Sequence, residues 1–201
     1  MKPALIIMVR NPVLGKVKSR LAASVGEERA LQIYKYLLAY THSQTRNLPL
    51  DKFVFYDQFI DTGDHWDNSR YRKRLQQGSA LGEKMNYAFT EIFELGYGPV
   101  MMIGSDCPEI SAKDILLGFE SLVPNDFVLG PALDGGYYLI GMRTFYSQIM
   151  EHKKWGTSTV YQDTLEQIIA MHYTCHTLRV LGDVDEVGDL TRYELSDWDL
   201  G

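Results

Sequence analysis

Four basic side chains lie in or beside one short loop near the start of the chain: Arg10, Lys16, Lys18 and Arg20. The first 26 residues hold five basic side chains and no acidic one, although the 201-residue chain has a formal net charge of −6. Pro12 and Gly15 predict a loop here, and a helix is expected to follow. Lys and Arg donate charge-assisted hydrogen bonds to phosphate, and a helix N-terminus favours anions. The segment therefore predicts a di- or triphosphate site, with a solvated basic loop as the alternative.

Asp106 is the second candidate for chemistry. It follows the apolar run 99–103 and Gly104, and Pro108 stops any further strand pairing. Ligands bind at the carboxyl end of strands in open α/β sheets. A carboxylate at that place suits Mg²⁺ or Mn²⁺ holding phosphates. A turn aspartate is the alternative.

A third stretch combines a carboxylate with two adjacent glycines, Asp134-Gly135-Gly136, followed by Tyr137. Each glycine costs ordering entropy, which a close backbone approach to a substrate justifies and a hairpin turn explains equally well. Trp155 is a candidate for stacking on a sugar or base, or for packing over the core. We expect these residues to meet an acceptor or a sugar.

Two further segments leave their alternatives open. Gly78 and Gly82 precede and enter a predicted helix, where they either border a nucleotide or form an ordinary strand-to-helix turn. Asp185 belongs to an acidic cluster at 183–189. With Asp106 it completes a divalent-metal site, or else the cluster only favours the entry of a terminal helix.

Buried strands and helices must position these residues. Apolar runs predict strands, and helical spacing with end signals predicts helices. The strands are expected at 4–9, 52–57, 99–103, 127–131, 137–140 and 172–181, and the helices at 27–46, 81–95, 111–122 and 160–171. The polar stretch 58–80, with its acidic and basic runs, is expected to be a solvated loop.

Composition sets the broad class of the protein. With 45% hydrophobic and 12% aromatic residues, the chain can bury a substantial core, and one domain over residues 1–201 is expected. The acidic charge argues against a nucleic-acid partner. Two cysteines favour a reducing cytoplasm. No apolar run approaches the length of a membrane span.

Taken together, these segments resemble a known family along nearly the whole chain. The matching stretches are Arg10 to Leu21, Leu81 to Met85, Gly104 to Pro108, Asp134 to Gly141, Trp155 to Val160 and Asp183 to Leu190. The family is the bacterial glycosyltransferase-like, nucleotide-diphospho-sugar transferase group of the radical-SAM/selenodomain-associated type. The chain departs from its pattern in having Arg10 for lysine, Ser19 for threonine and 186–188 for Thr-Pro-Glu.

The resemblance implies an α/β fold of glycosyltransferase type A, a three-layer αβα Rossmann-like domain with a mostly parallel mixed sheet. It implies that Arg10, Lys18 and Arg20 face phosphates, that Asp106 is the principal ligand of Mg²⁺ or Mn²⁺ and that Asp185 is a second one.

The function expected is glycosyl transfer from a nucleotide-diphospho-sugar to a small-molecule acceptor, with Asp106 and Asp134 as catalytic residues. One alternative is nucleotidyl transfer from an NTP to a phosphorylated acceptor. Another is a non-catalytic nucleotide-binding protein. A homodimer is compatible with each of these functions.

Overall fold

The computed structural model describes residues 1–151 and 153–193. Seven strands form one sheet: β1 (Lys2–Val9), β2 (Asp51–Tyr56), β3 (Tyr71–Leu75), β4 (Tyr97–Ile103), β5 (Phe127–Pro131), β6 (Tyr137–Met142) and β7 (Cys175–Thr177). Their order is β3-β2-β1-β4-β6-β5-β7. All neighbouring pairs are parallel except those made by β6, which runs antiparallel to β4 and β5. The predicted mostly parallel mixed sheet is therefore confirmed.

In the described part of the chain, five α-helices accompany these strands: α1 (Ser19–Val25), α2 (Glu27–Thr45), α3 (Leu81–Glu94), α4 (Ala112–Ser121) and α5 (Val160–Ala170). Short 3₁₀ helices lie at Ser147–Met150 and Val187–Arg192. The Ser111 hydroxyl caps α4 by accepting from the N–H of Asp114, as the sequence predicted. None of the helices in the described residues is long and apolar enough to cross a membrane.

The two faces of the sheet bury separate cores, which makes the three layers. Along β1, Leu5, Ile7 and Val9 pack with α1, α2 and α4 on one face. Ala4 and Ile6 pack with α3 and α5 on the other face. Side chains alternate along a strand, so a strand covered on both faces must be apolar at nearly every position. The predicted αβα class is confirmed. The single-domain prediction includes residues 152 and 194–201, which lie outside the described residues.

The prediction that 58–80 is a solvated loop was wrong, because β3 lies inside it. Tyr71 and Lys73 are buried on one side of β3, which pairs in parallel with β2. The Lys73 ammonium donates to Asp64 at 2.7 Å. Because the Asp64 carboxylate pairs with the buried ammonium, a strand can form from this basic run at the edge of the sheet. The pairing of Lys73 with Asp64 cannot be predicted from the local sequence.

Strand direction decides where the loops meet. Since β1, β2 and β4 are parallel, their carboxyl ends lie at one edge of the sheet. Antiparallel β6 begins at that same edge. The loops that carry Arg10, Asp106 and Asp134 are thereby gathered at this edge.

Candidate functional site

A cavity of about 850 Å³ opens at the carboxyl edge of the sheet. Nine of the predicted site residues line it: Arg10, Lys18, Arg20, Asp106, Asp134, Gly136, Tyr137, Trp155 and Asp185. The basic loop, the loop after β4 and the Asp134 turn come from three separate parts of the chain. The fold therefore places most of the predicted chemistry around one space.

Lys18 is the hub of a cluster of opposite charges in this cavity. Its ammonium donates to Asp106 Oδ2 at 3.1 Å and lies 3.9 Å from Asp185 Oδ1. Arg20 Nη1 donates to Asp185 Oδ2 at 3.0 Å. The Lys18 side chain is only 6% exposed. Two residues expected to bind phosphate thus pair with the two carboxylates expected to bind metal.

The local charges shift the ionisation of two aspartates. Burial acts to raise the pKa of Asp106, but the Lys18 ammonium and the Arg10 guanidinium outweigh it, and the pKa lies below its ordinary value. Burial raises the pKa of Asp183 to about 6, and the negative charges of Asp106 and Asp134 add to this. Asp183 therefore takes up a proton more readily than Asp106 does.

A buried tyrosine connects the loops after β1 and β4. The Arg10 N–H donates to the Tyr34 hydroxyl at 2.8 Å, and that hydroxyl lies 3.2 Å from Ser105 Oγ. Burial raises the pKa of Tyr34 to about 12, so the phenol stays neutral. Tyr34 thus holds the backbone beside Arg10 and beside Asp106 in one arrangement.

The loops after β1 and β2 are joined by Asn11, which is fully buried. Its amide nitrogen donates to the Phe59 carbonyl at 3.0 Å, and its amide oxygen accepts from the N–H groups of Gln58 and Phe59 at 3.1 Å each. Asp57 accepts the Asn11 N–H at 2.7 Å. These bonds fix the start of the basic loop, a role that the sequence did not suggest.

The Asp134 turn is held by both of its glycines. Asp134 Oδ1 accepts the Gly136 N–H at 2.8 Å. Gly135 has φ +88°, and a Cβ there would lie 1.9 Å from the Ser158 carbonyl oxygen. A side chain at 135 would therefore drive the turn away from the segment leading into α5. Asp134 and Tyr137, on either side of the two glycines, both line the cavity.

An aromatic wall forms where Trp155 meets Tyr137, with ring centroids 6.3 Å apart and planes nearly perpendicular. Gly82, in the first turn of α3, lies directly against the indole. A Cβ at Gly82 would be 2.3 Å from Trp155 Nε1. Gly82 thus lets the indole pack on α3 at the edge of the cavity.

Four predicted binding residues are absent from the cavity wall that the described residues form: Lys16, Gly78, Gly82 and Gly135. Lys16 is exposed. Gly78 has φ +117°, and a Cβ there would lie 2.7 Å from the Cβ of Glu83, so it serves a tight turn. Their contacts with a ligand stay predictions.

Three charged residues on the cavity wall were not among the predicted site residues: Asp57, Lys84 and Asp183. Asp57 ends the predicted strand 52–57. Lys84 belongs to the Leu81–Met85 segment and Asp183 to the acidic cluster. The sequence therefore marked both segments, but it did not show which charged side chain of each would face the cavity. Neither the Lys84 ammonium nor the Arg10 guanidinium has a hydrogen bond or ion pair within the described part of the chain. Both are therefore available to an anion.

The fold is that of nucleotide-diphospho-sugar transferase-like proteins, a fold that several nucleotide-using transferases share. A structure from Desulfovibrio desulfuricans G20, named a "putative nucleotide-diphospho-sugar transferase", is 32% identical with a TM-score of 0.86 and covers 94% of this chain and 84% of its own. Residues 40–157 match the family described as "Uncharacterized protein conserved in bacteria (DUF2064)", and the chain belongs to that family. No curated protein matches the sequence.

Two more distant structures share the fold alone. One is CMP:2-keto-3-deoxy-manno-octonic acid synthetase complexed with CTP, 10% identical, with a TM-score of 0.55 and 96% of each chain covered. The other is Rv0371C of Mycobacterium tuberculosis H37Rv in complex with manganese, 9% identical, with a TM-score of 0.53 and 96% and 97% of the two chains covered.

Proposed function

We propose that this protein is a metal-dependent transferase that moves a glycosyl group from a nucleotide-diphospho-sugar to a small-molecule acceptor. The observation that carries the proposal is the cavity at the carboxyl edge of the sheet, where cations, carboxylates and an aromatic wall converge. The 32% identical relative with this fold is named for nucleotide-diphospho-sugars. Cations suit the diphosphate, and an aromatic wall suits the sugar or the acceptor.

The charges of the cavity support a role for a divalent cation. Among the described residues, its wall carries four cationic side chains (Arg10, Lys18, Arg20 and Lys84) and five carboxylates (Asp57, Asp106, Asp134, Asp183 and Asp185). This formal excess of one negative charge opposes a diphosphate unless a further cation enters. The Lys18 ammonium already lies between Asp106 and Asp185, so a cation is favoured at that position.

Asp106 and Asp185 would hold Mg²⁺ or Mn²⁺. Within the described residues, no three side chains of the metal-binding types converge. Phosphate oxygens and water would complete the coordination, as is usual for Mg²⁺. When bound, the ion stabilises negative charge on the departing diphosphate. Rv0371C, which shares the fold, was obtained with manganese.

The protein's own residues orient the two substrates. Arg10 and Lys84 have no internal ion-pair partner among the described residues and would bind the phosphates. Asp134 uses Oδ1 to accept the Gly136 N–H, and its other oxygen would accept a hydrogen bond from the acceptor hydroxyl. Trp155 and Tyr137 would pack on the apolar face of the sugar or acceptor. Through its hydrogen bond to the acceptor hydroxyl, Asp134 would take the hydroxyl proton as the acceptor oxygen attacks the anomeric carbon.

Nucleotidyl transfer from an NTP is the second candidate. The cations of the cavity wall favour it, because a triphosphate carries more charge than a diphosphate. The shared fold with the CTP-bound synthetase is a further argument. Here a phosphorylated acceptor attacks the α-phosphate and pyrophosphate leaves. A nucleotide-binding protein without catalysis is the candidate from another class. A cytoplasmic location and a homodimer also remain predictions.

A panel of NTPs and NDP-sugars with Mn²⁺ tests the proposal, read first by thermal shift and then by product mass. We expect a shift with an NDP-sugar and release of the nucleoside diphosphate. Release of pyrophosphate from an NTP would assign the second candidate instead. Binding without any product across a broad set of acceptors would favour the non-catalytic protein.

Asp106→Asn is the matched variant for this panel. We expect it to abolish metal-dependent nucleotide binding while lowering the Tm by no more than about 4 °C, a change of about 1 kcal/mol for a chain of this size. Glu120→Gln, at an exposed position of α4, is the control and should bind normally. Retained metal-dependent affinity in Asp106→Asn would remove this residue from the site.

A further inference from the structure

Lys18 has a conformation and an environment unusual for a lysine expected to bind phosphate. Its φ is +49°, in the left-handed region that side chains other than glycine seldom adopt. Its side chain is 6% exposed and its ammonium faces two carboxylates. A left-handed backbone and a buried ammonium both cost free energy. The surrounding structure therefore holds this lysine at a specific place, which is the gap between Asp106 and Asp185.

The two carboxylates come from distant parts of the chain. Asp106 follows β4, and Asp185 precedes the 3₁₀ helix Val187–Arg192. Without a cation between them, their like charges would repel in a partly buried site. The Lys18 ammonium supplies that cation, at 3.1 Å from Asp106 and 3.9 Å from Asp185.

A divalent ion on the same carboxylates and the ammonium of Lys18 would carry like charges within a few ångströms. Their repulsion at a contact distance of about 4 Å is strong in a partly buried site, where water screens charges less than at the surface. Simultaneous occupation is therefore strongly disfavoured. One cation must leave as the other arrives, and the lysine stem is flexible enough to move its charged end.

We propose that Lys18 is a resident cation that holds Asp106 and Asp185 in the free protein, opposes the binding of metal alone, and turns to the phosphates when metal arrives with a nucleotide. This inference rests on the proposed function for its second half. It makes Lys18 a positioning residue that exchanges between two anionic partners. Metal then enters together with the nucleotide, whose phosphates give the displaced ammonium a new partner.

The test is a titration of the nucleotide-free protein with Mn²⁺, in which the unbound ion is followed by electron paramagnetic resonance. Lys18→Met removes the ammonium and keeps a side chain of similar reach. We expect it to bind Mn²⁺ at least about tenfold more tightly than the wild type. Lys113→Met is the matched control, since Lys113 is an exposed lysine of α4 that lies off the cavity wall, and its affinity for Mn²⁺ should equal that of the wild type.

A purely structural role for Lys18 predicts a different result, namely a lower Tm and no gain in Mn²⁺ affinity. That result would overturn the proposal, as would tight Mn²⁺ binding by the wild type that Lys18→Met leaves unchanged. Should Lys18→Met fail to fold, Lys18→Gln gives the same comparison with a neutral amide that still donates to Asp106. Because this titration contains no nucleotide, its outcome is independent of whether the panel of donors reveals a glycosyl transfer.

Discussion

At the scale of single residues, the cavity shows how neighbours decide the chemistry of chemically identical side chains. The pKa of Asp106 lies below its ordinary value because Lys18 and Arg10 oppose the effect of burial. The pKa of Asp183 rises to about 6 through burial and the charges of Asp106 and Asp134. At pH 7 both are charged, but only for Asp183 does the surrounding protein disfavour the charged form. Such strained ionisation is common where a ligand is expected to supply the compensating charge.

The raised pKa of Asp183 gives a prediction about stability and pH. The folded protein retains this proton between about pH 4 and 6, whereas the unfolded chain releases it, so the free energy of unfolding falls as pH rises through that range. Asp183→Asn should therefore raise the free energy of unfolding at pH 7.5 by about 1–3 kcal/mol, scaled from a shift of about two pKa units. The gain should shrink towards zero as the pH approaches 4.

Urea unfolding in EDTA at several pH values measures this effect on the metal-free protein. Glu120→Gln, an exposed carboxylate outside the cavity, should leave the pH profile unchanged. An equal gain from Asp183→Asn at pH 4 and 7.5 would contradict the prediction, because a gain independent of pH cannot arise from ionisation.

At the scale of elements, the contact between α3 and the loop before α5 shapes one wall of the cavity. Trp155 packs against the first turn of α3 at Gly82, where a Cβ would come within 2.3 Å of the indole nitrogen and 3.1 Å of the Met150 carbonyl oxygen. Gly82 was predicted either to border a nucleotide or to form an ordinary strand-to-helix turn, and in the structure it lies against Trp155. Its effect on a ligand would then act through Trp155.

Gly82→Ala should displace Trp155 and destabilise the fold by about 1–3 kcal/mol, the usual cost of overpacking. The same change in a Trp155→Ala background should be neutral or stabilising, because alanine favours a helix over glycine by up to about 1 kcal/mol. Chemical denaturation of the four proteins in this double-mutant cycle measures the coupling. Equal costs in both backgrounds would mean that the indole is not what Gly82 accommodates.

At the scale of the whole molecule, charge is distributed so that an acidic protein presents cations to one cavity. The net charge of −6 repels anions at long range, and two of the four cavity cations, Lys18 and Arg20, are already paired with carboxylates. Arg10 and Lys84 are without such a pair in the described part of the chain. These two should therefore supply most of the direct attraction for a phosphate group.

Arg10→Ala and Lys84→Ala should each weaken the binding of a nucleoside diphosphate with Mn²⁺ by about tenfold, the loss expected for one hydrogen bond to a charged group. Each should also reduce the dependence of affinity on salt, since one cation no longer faces the ligand. Isothermal titration at two salt concentrations measures both effects. Lys113→Ala removes an exposed lysine of α4 and should change neither. Unchanged affinity in Lys84→Ala would exclude a contact between this lysine and phosphate.

Local sequence was sufficient for the elements whose residues share one environment. The run 99–103 is apolar at every position because β4 is covered on both faces, and Ser111 with Asp114 marks the start of α4 by its own hydrogen bonds. It was insufficient for β3, where the partner of Lys73 lies in a separate loop. Local sequence therefore predicts a helix or strand only where the contacts that stabilise it come mainly from residues nearby in the sequence.

The same distinction separates the two parts of the candidate site. Sequence alone determined that Asp106 and Asp134 stand at strand ends and that a basic loop follows β1, because apolar runs and turn residues record where strands stop. Tertiary structure decided that Lys18 pairs with Asp106 and Asp185, and that Lys84 joins them on the cavity wall. These groups are separated by dozens of residues, and electrostatic interaction depends on distance through space. That distance is set by the mixed sheet, whose strand directions bring these loops to one edge.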